Sequence, residues 1–267
     1  MLQYFIIDKQ EAEIMISNPI APRQSDYHEI VWIQKGSANF IIDGDQHSVM
    51  SNSFFIFPKG RYHQFLPNKL VEGQVIRFSE SSIDHFPRLL FSKFNQISEV
   101  IINDPDNISL TLLFKAFELE YNHNKKKSPI ITYLLKTILY KLNQIKQQQF
   151  PYQKTHIYSI DLFDRFQILL DKCITQHRKI TFYSNNLNVT PRKLGETVKS
   201  IMNDTTENII AKRLLIEIKR RLIYSTENIG QIAYDLKFED NSYFTKFFKK
   251  LTKITPKEFR RNNKLTQ

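Results

Sequence analysis

The chain has 267 residues, enough for two domains of ordinary size. It carries 38 Lys and Arg against 27 Asp and Glu, a formal charge of +11 that favours a polyanionic partner. One cysteine, Cys173, excludes an intramolecular disulfide, and without a signal-peptide pattern or an apolar run of ~18 residues the protein is expected to be soluble and cytoplasmic.

The first hundred residues read as β structure. Ile30 to Gln34, Asn39 to Asp43, Phe54 to Pro58 and Gln74 to Phe78 are short runs rich in β-branched and aromatic residues. Turn signals divide them at Lys35-Gly36-Ser37, Asp43-Gly44-Asp45 and Pro58-Lys59-Gly60, and Asp43-Gly44 marks a tight hairpin. Many short strands at close spacing predict an antiparallel sandwich or barrel. The apolar period then lengthens to that of helices. Leu110, Leu113, Phe114 and Phe117 share one face of a helix over residues 109–121. A second helix opens at the cap Ser128-Pro129 and runs to about Gln147. Each needs a surface for its apolar stripe, either the strands of its own domain or the same helices of a second copy.

Residues 150–158 have no periodicity, contain Pro151 and are expected to form a linker. Everything after them reads as helical. Charge is uneven across this boundary: residues 1–154 hold 17 Lys and Arg against 15 Asp and Glu, whereas residues 155–267 hold 21 against 12. The helix over 161–175 places Cys173 at a core-like position, where a buried structural thiol is expected. Further on, Thr190-Pro191-Arg192-Lys193-Leu194 and Asp240-Asn241-Ser242-Tyr243-Phe244 open two similar segments fifty positions apart. Thr190 matches Asp240 as an N-cap, while Leu194, Val198 and Ile201 match Phe244, Phe248 and Leu251 as one buried face. A short apolar segment precedes each, at Tyr183 to Leu187 and at Ile229 to Leu236. Helix, tight turn and capped helix make a helix-turn-helix, whose second helix enters the DNA major groove. A long helix over 206–225 joins the two units, and Thr255-Pro256 opens a short last one.

The run Ile229 to Arg260, with the helix Ala211 to Ser225 before it, closely resembles the C-terminal signature of AraC/XylS-type transcriptional regulators. The resemblance covers about residues 160–261. It implies double-stranded DNA as partner, with both recognition helices in successive major grooves, and RNA polymerase as the target of activation. Lys237 and Lys253 stand where that family usually has glycine, and a left-handed backbone there would cost a lysine roughly 1–2 kcal/mol. On the second recognition helix Phe244, Phe247, Phe248 and Leu251 should face inward. Ser242, Tyr243 and Lys246 are then the base-facing set, and Thr245 and Lys249 the phosphate contacts. On the first, Arg192, Gly195 and Glu196 should face the groove, with Lys193 and Lys199 toward the backbone. Arg192 can pair with guanine and Glu196 can accept from cytosine N4.

In the N-terminal half, Phe57-Pro58-Lys59-Gly60-Arg61-Tyr62-His63 resembles the second cupin motif, and Tyr27-His28-Glu29 takes the place of the first. The family's His-x-His pair is missing, Asn52 replaces the usual glycine before the second motif, and Glu29 should point away from His28 and His63 on its strand. A metal site needs about three protein ligands, so no metal, no cofactor and no enzymatic activity are expected. His28 and His63, with Trp32 and Phe57, are instead candidate contacts to a small-molecule effector; Phe40, Phe55 and Phe65 either join them or fill the core. The expected architecture is α+β with two domains. Residues 1–149 form a cupin-like antiparallel β-barrel with two trailing helices that senses an effector and makes a homodimer. Residues 159–267 form an all-α DNA-binding domain with two helix-turn-helix units. Two rivals stand beside this reading: a barrel that only dimerises, and a metal-dependent cupin enzyme fused to a DNA-binding domain.

Overall fold

The computed structural model describes residues 1–83, 87–91, 99–124, 128–149 and 157–263. The chain divides into two compact units, Met1–Pro151 and Tyr152–Gln267. Most of the expected linker, residues 150–156, lies outside the described residues.

The first unit contains β1 (Leu2–Ile7), α1 (Lys9–Ser17), β2 (Arg23–Gln24), β3 (His28–Lys35), β4 (Ser37–Ile42) and β5 (Asp45–Met50). It continues with β6 (Ser53–Phe57), β7 (Tyr62–Pro67), β8 (Glu72–Phe78), β9 (Glu99–Ile101), α2 (Asp106–Asn124) and α3 (Pro129–Gln149). The strands make two antiparallel sheets, ordered β1-β8-β3-β6-β9 and β2-β7-β4-β5. The ladder of one sheet does not continue into the other, so the expected barrel is an open two-sheet sandwich. At two of the places where the chain changes sheets the backbone turns left-handed. Gly36 (φ 75°) sits between β3 and β4, and Asn52 (φ 60°) between β5 and β6. A side chain on Gly36 would also run into the backbone of Leu70 and Val71. The hairpin at Asp43-Gly44 forms as predicted, with Ile42 opposite Asp45 and positive φ at both turn residues.

The five-stranded sheet is covered on both faces. Val31, Ile33, Phe55, Phe57 and Val75 meet Ala38, Phe40, Ile42 and Val49 of the other sheet in an inter-sheet core. Ile30, Trp32, Phe54, Ile56 and Ile76 face the opposite way, onto Leu110, Phe114 and Phe117 of α2 and Leu135, Ile138, Leu139 and Leu142 of α3. The two trailing helices therefore bury their stripes on their own sheet. Helix α1 is not among the sequence-based expectations; Asp8 caps it by accepting from the Glu11 N–H at 2.9 Å.

The second unit is helical throughout its described residues: α4 (Ile157–Cys173), α5 (Ile180–Asn186), α6 (Pro191–Met202), α7 (Thr206–Tyr224), α8 (Ile229–Asp235), α9 (Asn241–Thr252) and α10 (Pro256–Asn263). Cys173 is half-buried at the end of α4, not sealed in the core, because it lies beside the turn that ends the helix. Helix α7 is the long connector and buries Ile209, Ile210, Leu214, Ile218 and Leu222. Its charged buried residues are paired. Arg213 Nε donates to Asp171 Oδ1 at 2.5 Å, and Glu217 accepts from Arg220 and Arg221. Arg260 closes the end of α7 by donating to the carbonyls of Leu222 (2.9 Å) and Glu227 (2.7 Å). Helix α10 opens with a reciprocal cap: Thr255 N–H donates to Glu258 Oε2, and Glu258 N–H donates to Thr255 Oγ1.

Candidate nucleic-acid interface

Two helix pairs, α5–α6 and α8–α9, repeat one local design. Helices α6 and α9 have 12 residues each. Thr190 accepts from the Lys193 N–H at 3.1 Å, and Asp240 accepts from the Tyr243 N–H at 2.6 Å. Both helices stop at a left-handed residue, Asn203 (φ 51°) and Lys253 (φ 70°), whose N–H groups return to the carbonyls of Lys199 and Lys249. The fifty-residue offset thus holds from cap to cap.

The preceding helices obey a different offset. Helix α5 starts at Ile180 and α8 at Ile229, forty-nine positions on. Matching turns close through Val189 N–H to Ser184 O and Phe238 N–H to Ala233 O, both 3.0 Å. The second turn therefore holds one more residue before its cap. Its left-handed position is Lys237 (φ 59°), the counterpart of Asn188 (φ 55°). The left-handed backbone is kept at both lysines that replace the family's glycines, so neither turn is remodelled to relieve them. Lys237 gains one contact there, its ammonium 5.6 Å from the Tyr234 ring centre. The second turn is also braced from the first unit of the pair. The Arg178 guanidinium lies 3.8 Å over the Phe238 ring and donates to the Leu236 carbonyl.

Burial separates an inner and an outer face on both helices. In α6, Leu194, Thr197, Val198 and Ile201 are buried, while Arg192, Lys193, Glu196 and Lys199 are exposed and Gly195 is half-exposed. In α9, Phe244 and Phe248 are buried; Ser242, Tyr243, Lys246 and Lys249 are exposed, and Thr245 is half-buried. Leu251 departs from its expected inward position and is 37% exposed, one residue before the helix ends. Phe247 is half-buried against Phe238, 5.5 Å between ring centres. Lys250, absent from the sequence-based set, adds a further exposed cation on α9. Arg192 Nε donates to Glu196 Oε1 at 2.9 Å, so these two candidate contacts are joined to each other. A side-chain carbon added at Gly195 would meet nothing within 4 Å.

The candidate effector residues do not converge. His28 and Trp32 lie on the helix-covered face of the five-stranded sheet: His28 packs on Phe91 (4.5 Å) and Trp32 stacks on Phe54 (4.9 Å). His28 accepts from the Lys59 N–H at 3.1 Å and approaches Glu80. Phe57 and His63 lie between the sheets, their rings stacked at 4.1 Å. The residue that joins His63 is Glu29, expected to point away from it. Strand residues alternate sides, so Glu29 and not its neighbour His28 faces the sheet that carries His63.

Glu29 is buried and saturated with donors. His63 Nε2 lies 3.1 Å from Oε1, while Arg77 Nε and Arg23 Nη2 (3.4 Å) donate to Oε2. Burial alone would raise its pKa, but the hydrogen bond and charge of His63, joined by Arg77, outweigh that and hold it at about 2. The Arg77 guanidinium is flanked by Phe5 and Tyr27, 4.7 and 5.5 Å from their ring centres. Arg23, Glu29, His63 and Arg77 form the polar end of a cavity of about 40 Å³, whose other walls include Ile7, Met15, Ile20, Val31, Phe65 and Val75. Phe40 and Phe55 stack on one another at 4.6 Å and belong to the core. Among the described residues no group of three or more His, Cys, Asp or Glu could hold a metal ion.

Residues 183–262, which run from within α5 through α10, match a family described as a helix-turn-helix domain. Over 69 residues the chain is 39% identical to the HTH-type transcriptional activator RhaS of Mannheimia succiniciproducens, a match that covers 26% of each protein. It is 21% identical over 266 residues to the HTH-type transcriptional activator RhaR of the same organism, covering 96% of this chain and 94% of the relative. Among solved structures, ToxT of Vibrio cholerae matches with a TM-score of 0.44 and 16% identity over 98% of this chain and 97% of its own.

Proposed function

We propose, for a chain that belongs to the AraC/XylS-type transcriptional regulators and binds DNA through its helix-turn-helix domain, that α6 and α9 are the base-reading helices of a small-molecule-responsive activator. The observation that carries this reading is the pair of capped, twelve-residue helices with one apolar and one exposed polar face each. Arg192, Gly195, Glu196, Ser242, Tyr243 and Lys246 are its groove-facing residues, and Lys193, Lys199, Thr245 and Lys249 its phosphate contacts. Residues 159–267 are the DNA-binding domain, 150–158 the linker, and 1–149 the sensing and dimerisation domain. The protein acts in the cytoplasm, as a regulator and not an enzyme, and its activating partner is RNA polymerase.

Lys249→Ala tests the phosphate assignment. It should weaken binding to operator and random duplexes by the same factor and lower the slope of log K against log salt by about 1. A loss confined to one base pair would remove Lys249 from the phosphate set.

The effector would occupy the cavity beside Glu29. Arg23 and Arg77 share that one carboxylate, so the polar end carries surplus positive charge and suits a small organic anion with an apolar body. A ligand at 100 times its Kd stabilises the folded chain by about 2.7 kcal/mol, which raises the melting temperature by several degrees. Organic acids should give this shift and their neutral amides should not. If no small molecule moves the melting of the full chain, the sandwich serves only to dimerise. The dimer surface would be the outer side of α2 and α3, where Ile108, Leu112, Leu119, Ile130, Tyr133 and Tyr140 are exposed.

A further inference from the structure

We propose that Arg192 and Glu196 act as one base-reading unit, in which Glu196 is a positioning residue that reads no base of its own. The inference rests on α6 lying in the major groove and adds a division of labour that its exposed residues do not declare singly. Glu196 Oε1 takes the Arg192 Nε–H at 2.9 Å across one helical turn, i to i+4. An arginine can present two donor edges to guanine O6 and N7: Nε with one terminal nitrogen, or the two terminal nitrogens together. With Nε engaged, the terminal Nη1–Nη2 edge is the one left to meet a base. Glu196 therefore selects both the rotamer and the edge that Arg192 offers.

Exposure, charge and the neighbouring Gly195 also favour a unit over two independent readers. Side-chain exposures of 88% for Arg192 and 58% for Glu196 give the pair little to stabilise in the free protein, since water screens such contacts. In a groove that excludes water the same pair strengthens. An unpartnered carboxylate in the field of two phosphate strands would be repelled, and Arg192 offsets its charge. Finally, Gly195 lies between them with open space where a side chain would stand, so position 195 puts no side chain between the pair and the base edges.

The experiment measures base preferences of the full-length protein on a randomised duplex library, for wild type, Arg192→Ala, Glu196→Ala, Glu196→Gln and the Arg192→Ala/Glu196→Ala pair. All sites lie on the helix exterior, and unchanged helicity by circular dichroism verifies the fold. Arg192→Ala should lose roughly 5- to 150-fold discrimination at one G·C pair. Glu196→Ala should lose about 2- to 5-fold at that same pair and change nothing further in the Arg192→Ala background. Glu196→Gln, whose amide oxygen can still accept from Nε, should retain most of the preference. Loss at a different base pair after Glu196→Ala, or additive losses in the double variant, would overturn the unit and make Glu196 an independent reader of cytosine. Unaltered preferences in every variant would overturn it too, with the other groove-facing residues still carrying specificity. Absence of any preferred sequence in the wild type is a separate outcome and strikes the DNA-reading assignment itself.

Discussion

Glu29→Ala is expected to destabilise the first unit by about 3–5 kcal/mol, the usual cost of removing one partner from a buried charge cluster. Glu29 is the one carboxylate that His63, Arg77 and Arg23 share. Its loss leaves His63 without its Nε2 partner and removes the carboxylate oxygen that Arg23 and Arg77 share. The melting temperature should fall by roughly 10–20 °C at neutral pH. The same cluster predicts an acid dependence. The folded pKa of about 2 lies below the ordinary 4.5, so the native state holds the carboxylate's proton less tightly than the unfolded chain. Stability from Glu29 is therefore fully present above about pH 5 and is lost as the pH falls from 4.5 toward 2. In melting curves taken from pH 7 down to pH 2, the gap between wild type and Glu29→Ala should close across that interval. A gap that stays constant would show that Glu29 acts by packing and not by charge.

Phe244→Ala should cost the second unit about 3–5 kcal/mol, because the site is fully buried and cannot collapse around the missing ring. Phe244 meets Phe238 edge-on at 5.0 Å, and Phe238 in turn carries Arg178 over its face. One substitution thus loosens α9, the turn before it and the brace from the segment before α5. Melting should drop by roughly 10–20 °C, with binding to all DNA sequences lost near 37 °C. Tyr243→Ala, one residue away and 51% exposed, should leave melting almost unchanged while altering sequence preference. Full DNA binding by Phe244→Ala at 37 °C would show that the ring is not needed to hold α9 in place.

The helical half was legible because its signals are local. Thr190-Pro191 and Asp240-Asn241 announce caps, and spacings of four place Leu194 with Val198 and Phe244 with Phe248 on one buried face. Periodicity also puts Leu251 on that face, yet it stands 37% exposed at the end of α9, since spacing identifies a face but not how deeply each position on it is buried. The β half was legible as strands but not as sides. Strand β3 is buried from His28 to Ile33 without interruption, since its sheet has a second sheet on one face and α2 and α3 on the other. With both faces apolar, alternation cannot tell which residues share the inter-sheet space. Sequence alone pairs His28 with His63, whereas Glu29 is the residue that reaches it. The ion cluster itself had no sequence signal: Arg23, Glu29, His63 and Arg77 come from four strands and meet only through pairing register.

The single residue by which the second turn exceeds the first has a consequence for the DNA. Two reading helices see a site alike from either end only when they are identical and related by a two-fold axis. Here one helix offers an arginine–carboxylate pair around a bare glycine and the other offers Ser242, Tyr243 and Lys246, on turns of unequal length. With α6 and α9 as the proposed reading helices, each chain would meet its own stretch of DNA in one direction only, so every half-site would have a head and a tail.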